Sequence, residues 1–249
     1  MERPKLVPSP RRKDEINILA FEASSRNLSA AVISQDKILA EVRNETIVGQ
    51  ATNLVPMAVK ALDESGFDFA DLTHVAAGRG PGSFTGIRVA LAAAKGVGLS
   101  QNLPRLGVSC LHALAFDATK QSSGYPIIAL LDSRRGTLYI QIFSKNASPL
   151  SEADEVKIDE LRGVFQKHSL SEGIFVTGFM AKTVVQICKE NGLKASTYSL
   201  SDKLNHENSL VSAGMVAKLA YHQIKVGATE PLQPLYLSKV ELGPKKTAV

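Results

Sequence analysis

One run, Gly78-Arg79-Gly80-Pro81-Gly82-Ser83-Phe84-Thr85-Gly86-Ile87-Arg88, concentrates the residue types that bind anions and start helices. Its glycines permit a sharp turn and close approach of backbones. Ser83 carries the hydroxyl that caps a helix start, and bare amides at such a start suit an anion. The spacing excludes two phosphate motifs. No Gly-Lys-Ser/Thr follows, and the third glycine of a dinucleotide fingerprint falls on Ser83 or Thr85. No lysine is placed to neutralise a phosphate, so the run reads as a tight strand-to-helix connection without a ligand. Ser83 lacks a nucleophile's frame, because Pro81 and Thr85 stand where Gly-x-Ser-x-Gly needs glycine.

Two carboxylates end apolar runs, Glu22 after Ile16–Phe21 and Asp132 after Ile127–Leu131. Carboxylates at two phosphate loops would place magnesium and water for an actin-type ATPase. Glu22, Ser24, Asp132 and Arg135 are therefore the candidate nucleotide cleft. Glu22 leads into Ala23-Ser24-Ser25-Arg26, which has no glycine to let amides cradle phosphates, so the cleft is expected to be degenerate. The histidines are His74, His112, His168, His206 and His222, and no two are four apart. With no Cys/His cluster, no metal site is expected. Cys110 and Cys188 read as small buried apolar groups of a reducing cytosol.

The helix after the glycine run carries a further signal. Gly86, Ala90, Ala94 and Gly98 form a ridge of small residues, along which another helix can approach closely. Only Arg88 and Lys95 are charged between 84 and 101, and a helix apolar nearly all round is buried on most sides. Either a second lobe of the chain or a partner protein covers it; the partner is the preferred reading. A helix near 52–65 shows a similar face through Leu54, Met57, Ala58 and Ala61, so the two helices would form half of a four-helix interface.

The elements that position these residues follow from periodicity. Strands are expected at 16–22, 28–34 and 37–43, the last two around a Gln35-Asp36 hairpin turn. Helix 52–65, strand 73–78, helix 84–101, strand 105–108 and a helix from Ser109 to about Lys120 complete a first half. A second half opens at Tyr125 with strands 126–131 and 137–143. Helix 158–168, strand 174–178, helix 179–191, strand 195–199 and helix 208–225 follow. The order is that of a ribonuclease-H-like lobe and then a smaller variant of it, giving an α/β, actin-like fold. The expected division is a disordered basic extension over 1–13, lobes over 14–122 and 123–240, and a loose tail over 241–249.

The 249 residues are 44% hydrophobic and 21% charged, which excludes a disordered chain, a fibre and a coiled coil. No apolar run reaches the ~18 residues that suggest a membrane span, and the start does not read as a signal peptide. The net charge of +5 suggests nucleic acid, but residues 1–13 alone carry +4 and the rest only +1. A salt-sensitive phosphate contact by this extension is the sharper reading, and simple disorder is preferred.

The 78–88 run resembles the signature of the TsaB (YeaZ) family, which serves threonylcarbamoyladenosine formation in tRNA. Gly107-Val108-Ser109-Cys110-Leu111, Leu131–Gly136 and Pro234-Leu235-Tyr236-Leu237 are similar to further family segments. Glu22, Gln50, Ser133 and Ser238 depart from it, standing where Asp, His, Ala and Arg are common. The resemblance implies an actin-like (ASKHA) fold of two ribonuclease-H-like lobes, the second reduced. It implies a cytoplasmic, non-catalytic scaffold for TsaD, which transfers the threonylcarbamoyl group to adenosine 37 of tRNAs reading ANN codons. It implies docking to TsaD through helices that fall by order at 52–65 and 84–101, with the ATPase TsaE joining the pair. It also implies a homodimer through the same surface when TsaD is absent, and tRNA met only through the complex. No cofactor of its own is implied, beyond a nucleotide at the interface with TsaD. The alternative is a stand-alone actin-like ATPase or small-molecule kinase.

Overall fold

The computed structural model describes residues 15–25, 27–44, 50–168, 170, 173–197 and 211–237. The expectations for 1–13 and 241–249, together with His206, Ser238 and the side chain of Gln50, lie outside the described residues.

The chain opens as the anticipated meander. β1 (Asn17–Glu22) pairs antiparallel with β2 (Leu28–Ser34), which pairs antiparallel with β3 (Lys37–Asn44). Gln35 takes a positive φ of 55° in the turn between β2 and β3. α1 (Gln50–Ser65) crosses to β4 (His74–Gly78), which lies parallel to β1. α2 (Phe84–Ser100) crosses to β5 (Arg105–Val108), parallel to β4, and α3 (Cys110–Ala118) follows. The sheet order is β3-β2-β1-β4-β5.

The same plan then repeats. β6 (Ile127–Asp132), β7 (Leu138–Phe143) and β8 (Asp154–Val156) form an antiparallel meander. α4 (Leu161–Lys167) leads to β9 (Ile174–Gly178), parallel to β6, and α5 (Ala181–Glu190) to the two-residue β10 (Ala195–Ser196). The second sheet runs β8-β7-β6-β9-β10, the order of the first with shorter edges. β8 had no sequence signal, because only Val156 of its three residues is buried. The expected helix 158–168 is a 3-10 turn at Ile158–Glu160 followed by α4. α6 (Ala213–Val226) follows its Ser212 cap, and positions 208–210 of the expected helix lie outside the described residues.

β1 is buried at every position because both faces of the first sheet are covered. Leu19, Phe21, Ala30 and Val32 pack under α1 and α2. Ile18, Ala20, Ala31 and Ile33 pack under α6. Full burial of side chains such as Leu19 and Phe21 is worth ~1.5–3 kcal/mol each, so the sheet is the anchor for everything it carries. The start of α6 is tied down by two strand side chains. The Ala213 amide donates to Ser29 Oγ at 2.8 Å and the Gly214 amide to Glu41 Oε1 at 2.8 Å.

Two helices pack across the expected 122/123 boundary. α6, from the second half, lies on the first sheet, and α3, from the first half, joins Ile127, Ala129 and Leu131 of the second. α3 and α6 also pack on each other, so the halves share one core. Sequence order carries no sign of this exchange of helices. No helix among the described residues is long and apolar enough to cross a membrane.

Candidate functional site

The glycine run is fastened to its own chain by three backbone hydrogen bonds. The Arg79 amide donates to Val108 O at 2.9 Å, the Ser83 amide to Ser24 O at 2.7 Å, and the Cys110 amide to Gly80 O at 2.8 Å. Gly80 has φ +97°, open to glycine at little cost. A Cβ on Gly82 would stand 2.5 Å from Ser24 O, so only glycine lets the two loops meet. Ser83 caps α2, accepting from the Gly86 amide at 3.3 Å. The run is the tight connection its spacing suggests, with these amides spent on chain atoms.

Glu22 is closed off rather than open to a cleft. It is wholly buried, and its Oε1 accepts from the amide of Ser24 at 2.6 Å and from the Ser24 hydroxyl. Its Oε2 accepts from the Cys110 thiol at 3.4 Å. Burial pushes its carboxyl pKa up against the opposing pull of these hydrogen bonds. Burial, and then the neighbouring Glu22, raise the Cys110 thiol well above its usual range.

The four residues of the expected cleft lie at the ends of β1 and β6 and in the loops that follow, and Arg134 joins those two loops. Glu22 and Ser24 bind each other under the glycine run. Asp132 Oδ1 accepts from the Arg134 amide at 2.8 Å, shaping the β6–β7 turn. The guanidinium that reaches across to the β1–β2 loop belongs to Arg134, donating to Ser25 O at 3.0 Å. Arg135 is exposed, and its amide bonds Ser133 Oγ at 3.2 Å. Among the described residues no three His, Cys, Asp or Glu side chains are placed to hold a metal.

The interface helices need a correction of face. Gly86, Ala90, Ala94 and Gly98 are all buried within this chain. A Cβ on Gly86 would collide with Ala23 O, and one on Gly98 with the Arg105 side chain. Leu54, Met57, Ala58 and Ala61 are buried in the same core. The small ridge lets α2 sit down on its own sheet, and a partner does not cover it. The inner ridge also leaves α2 with an outer side that is still poor in charge. That side carries Phe84, Thr85, Arg88, Ala92, Lys95, Gly96, Leu99 and Ser100. Beside it, α1 exposes Val55, Pro56 and Val59. Phe84 is 54% exposed and Leu99 62%, and a Cβ on Gly96 would meet nothing. Of eight exposed large hydrophobics among the described residues, four lie on these two helices.

The segment after α6 has no place in the order of elements expected from periodicity. Residues 228–237 run as an extended strap along β5 and the glycine run. Glu230 bridges to Gly107, whose amide donates to Glu230 O at 3.0 Å. Its carboxylate pairs with Arg79. The Leu235 amide donates to Arg79 O at 2.7 Å. Tyr236 then reaches α2, 5.2 Å from the Phe84 ring. Pro231 and Pro234 are the signal of such an extended run.

Two halves with one sheet plan, meeting across exchanged helices, define an actin-like protein of two ribonuclease-H-like lobes. The family model "TsaD: tRNA N6-adenosine threonylcarbamoyltransferase" matches residues 45–222, well over half of the chain. The chain belongs to that family, on its TsaB (YeaZ) branch. It is 29% identical over 143 residues to the Escherichia coli K12 "tRNA threonylcarbamoyladenosine biosynthesis protein TsaB", covering 57% of this chain and 61% of that one. It is 23% identical to the Haemophilus influenzae protein of the same name, over 92% of each chain. A crystal structure from Pseudomonas aeruginosa, described as similar to the peptidase YeaZ, superposes with a TM-score of 0.72 at 21% identity. It covers 90% of this chain and all of that one, and shows the shared fold.

Proposed function

We propose that this chain acts in threonylcarbamoyladenosine formation in tRNA as the non-catalytic subunit that docks a TsaD-type paralogue. The observation that carries the reading is the outward face of α1 and α2, where Val55, Val59, Phe84 and Leu99 are open to solvent on helices that already cover their own sheet, with the exposed charges of α1 (Lys60, Asp63 and Glu64) gathered in its C-terminal half. Scattered apolar side chains are ordinary on a surface; their concentration on two neighbouring helices marks a docking site. A stable interface buries ~1,600 Å² in total, and two helices of 16 and 17 residues side by side can supply one half. The paralogue shares the lobe plan, so it presents a matching helix pair, and a four-helix contact results. TsaE joins the assembled pair, and a homodimer through the same face forms when the paralogue is absent.

The lack of chemistry of its own is supported by Glu22. The carboxyl that would begin a nucleotide site is wholly buried and bonded to Ser24 and Cys110. The experiment is co-expression with the TsaD-type paralogue, followed by assay of the pair and of each protein alone for the modified adenosine. The pair, supplied with TsaE and the threonylcarbamoyl donor, forms it. This chain alone does not, and turnover by this chain alone would refute the non-catalytic role.

A further inference from the structure

Three side chains from two distant parts of the sequence form one exposed cluster at the start of α2. Arg88 lies over the Phe84 ring, its guanidinium carbon 3.7 Å from the centroid. Tyr236 stands on the same ring at 5.2 Å, with 32° between the planes. The Arg88 Nε donates to the Tyr236 hydroxyl at 3.1 Å, closing the triangle. Phe84 and Tyr236 remain 54% and 43% exposed although they touch each other. Large aromatics with an arginine, held in place yet open to water, have the composition of interface hot spots. A cation over a ring gains more when water is removed from it, so a protein that covers the cluster strengthens it.

The strap, and not α2, supplies Tyr236. It is fastened at three points: the Arg79–Glu230 ion pair, the Glu230–Gly107 bridge and the Leu235 amide on Arg79 O. Arg79 lies inside the glycine run, so that run holds the strap as well as starting α2.

We infer that the strap 228–237 is part of the docking face, and that Phe84, Arg88 and Tyr236 anchor the TsaD-type paralogue at the N-terminal end of α2. This rests on the reading of the α1–α2 face and extends that face to a segment the two helices do not contain. The cluster is continuous with the face, since Phe84 and Arg88 belong to both. Its chemistry selects an apolar side chain beside a carboxylate or carbonyl oxygen, to meet the rings and the guanidinium. Glu230 acts as a positioning residue, through the strap.

The test is titration of the full-length chain with the purified paralogue, using Tyr236→Ala, Phe84→Ala, Glu230→Ala and, as a marker of the far end of α2, Leu99→Asp. Tyr236→Ala and Phe84→Ala should each weaken binding about tenfold or more with thermal melts unchanged. Glu230→Ala should weaken binding and speed hydrogen exchange of the amides at 232, 233 and 235–237. If both aromatic variants bind as the parent does while Leu99→Asp does not, the strap is not part of the face and the inference falls alone. If Leu99→Asp also binds normally, the docking reading falls with it. Hydrogen exchange on the unaltered chain gives a second readout. Slower exchange at 235–237 when the paralogue is added supports the anchor, and no slowing overturns it. Binding of a second copy of this chain, but not of the paralogue, through Tyr236 would also overturn it.

Discussion

The carboxyl of Glu22, the last residue of β1, sits against the Cα of Gly78, the last residue of the neighbouring β4, so that a methyl group on Gly78 would overlap Oε2. The two strand ends and Cys110 at the head of α3 thus interlock at one point beneath the glycine run. Gly78→Ala should force the buried carboxyl out of its place. Overpacking of this kind costs ~1–3 kcal/mol, which for a chain of this size lowers Tm by several degrees. A thermal melt of Gly78→Ala equal to that of the parent would refute the interlock.

Glu22 also sets a pH dependence. Its native pKa is raised by burial, so the folded chain holds this proton at pH values where the unfolded chain has released it. The stability it contributes is full below the ordinary carboxyl range and falls as pH rises through the native value. Glu22→Gln keeps an acceptor for Ser24 and places an amide donor beside Cys110. It should flatten that fall and raise Tm at pH 8 more than at pH 5. Parallel melting curves for parent and variant across pH 5–8 would contradict this.

The two small-residue positions of α2 should separate folding from docking. Ala94 is wholly buried against the sheet, whereas Ala92 is exposed. Ala94→Trp is expected to unfold or strongly destabilise the monomer. Ala92→Trp should leave circular dichroism and Tm close to those of the parent and disturb only the docking face. The reverse pattern would return the inner ridge to the partner.

Legibility followed how local each signal was. The Gln35-Asp36 hairpin, the glycine run and the Ser83 cap rest on neighbouring residues, and the structure has them as read. The ridge of α2 was readable as a ridge, but spacing does not say which of two small-residue lines faces the sheet. Gly86 settles it through contact with Ala23, 63 residues earlier in the chain. The inward turn of Glu22 was hidden for a similar reason. A carboxylate at a strand end looks the same in sequence whether it opens to solvent or, like Glu22, turns inward to Cys110. Nothing in the neighbouring residues distinguishes Arg135 from Arg134, the one that crosses to Ser25. The Pro234–Leu237 segment is legible as a motif but its packing is not, because the strap's ties to Arg79 and Gly107 span more than a hundred residues.

The most direct measurement is the affinity of the full-length chain for the purified TsaD-type paralogue when Val59 on α1 and Leu99 on α2 are both replaced by aspartate. Both side chains are exposed in the monomer, at 42% and 62%, so the variant should fold and melt like the parent. Two carboxylates forced into an apolar contact without partners should reduce binding at least a hundredfold, and formation of the modified adenosine by the pair should fall with it. A folded variant that binds the paralogue as tightly as the parent would contradict the assignment of this face.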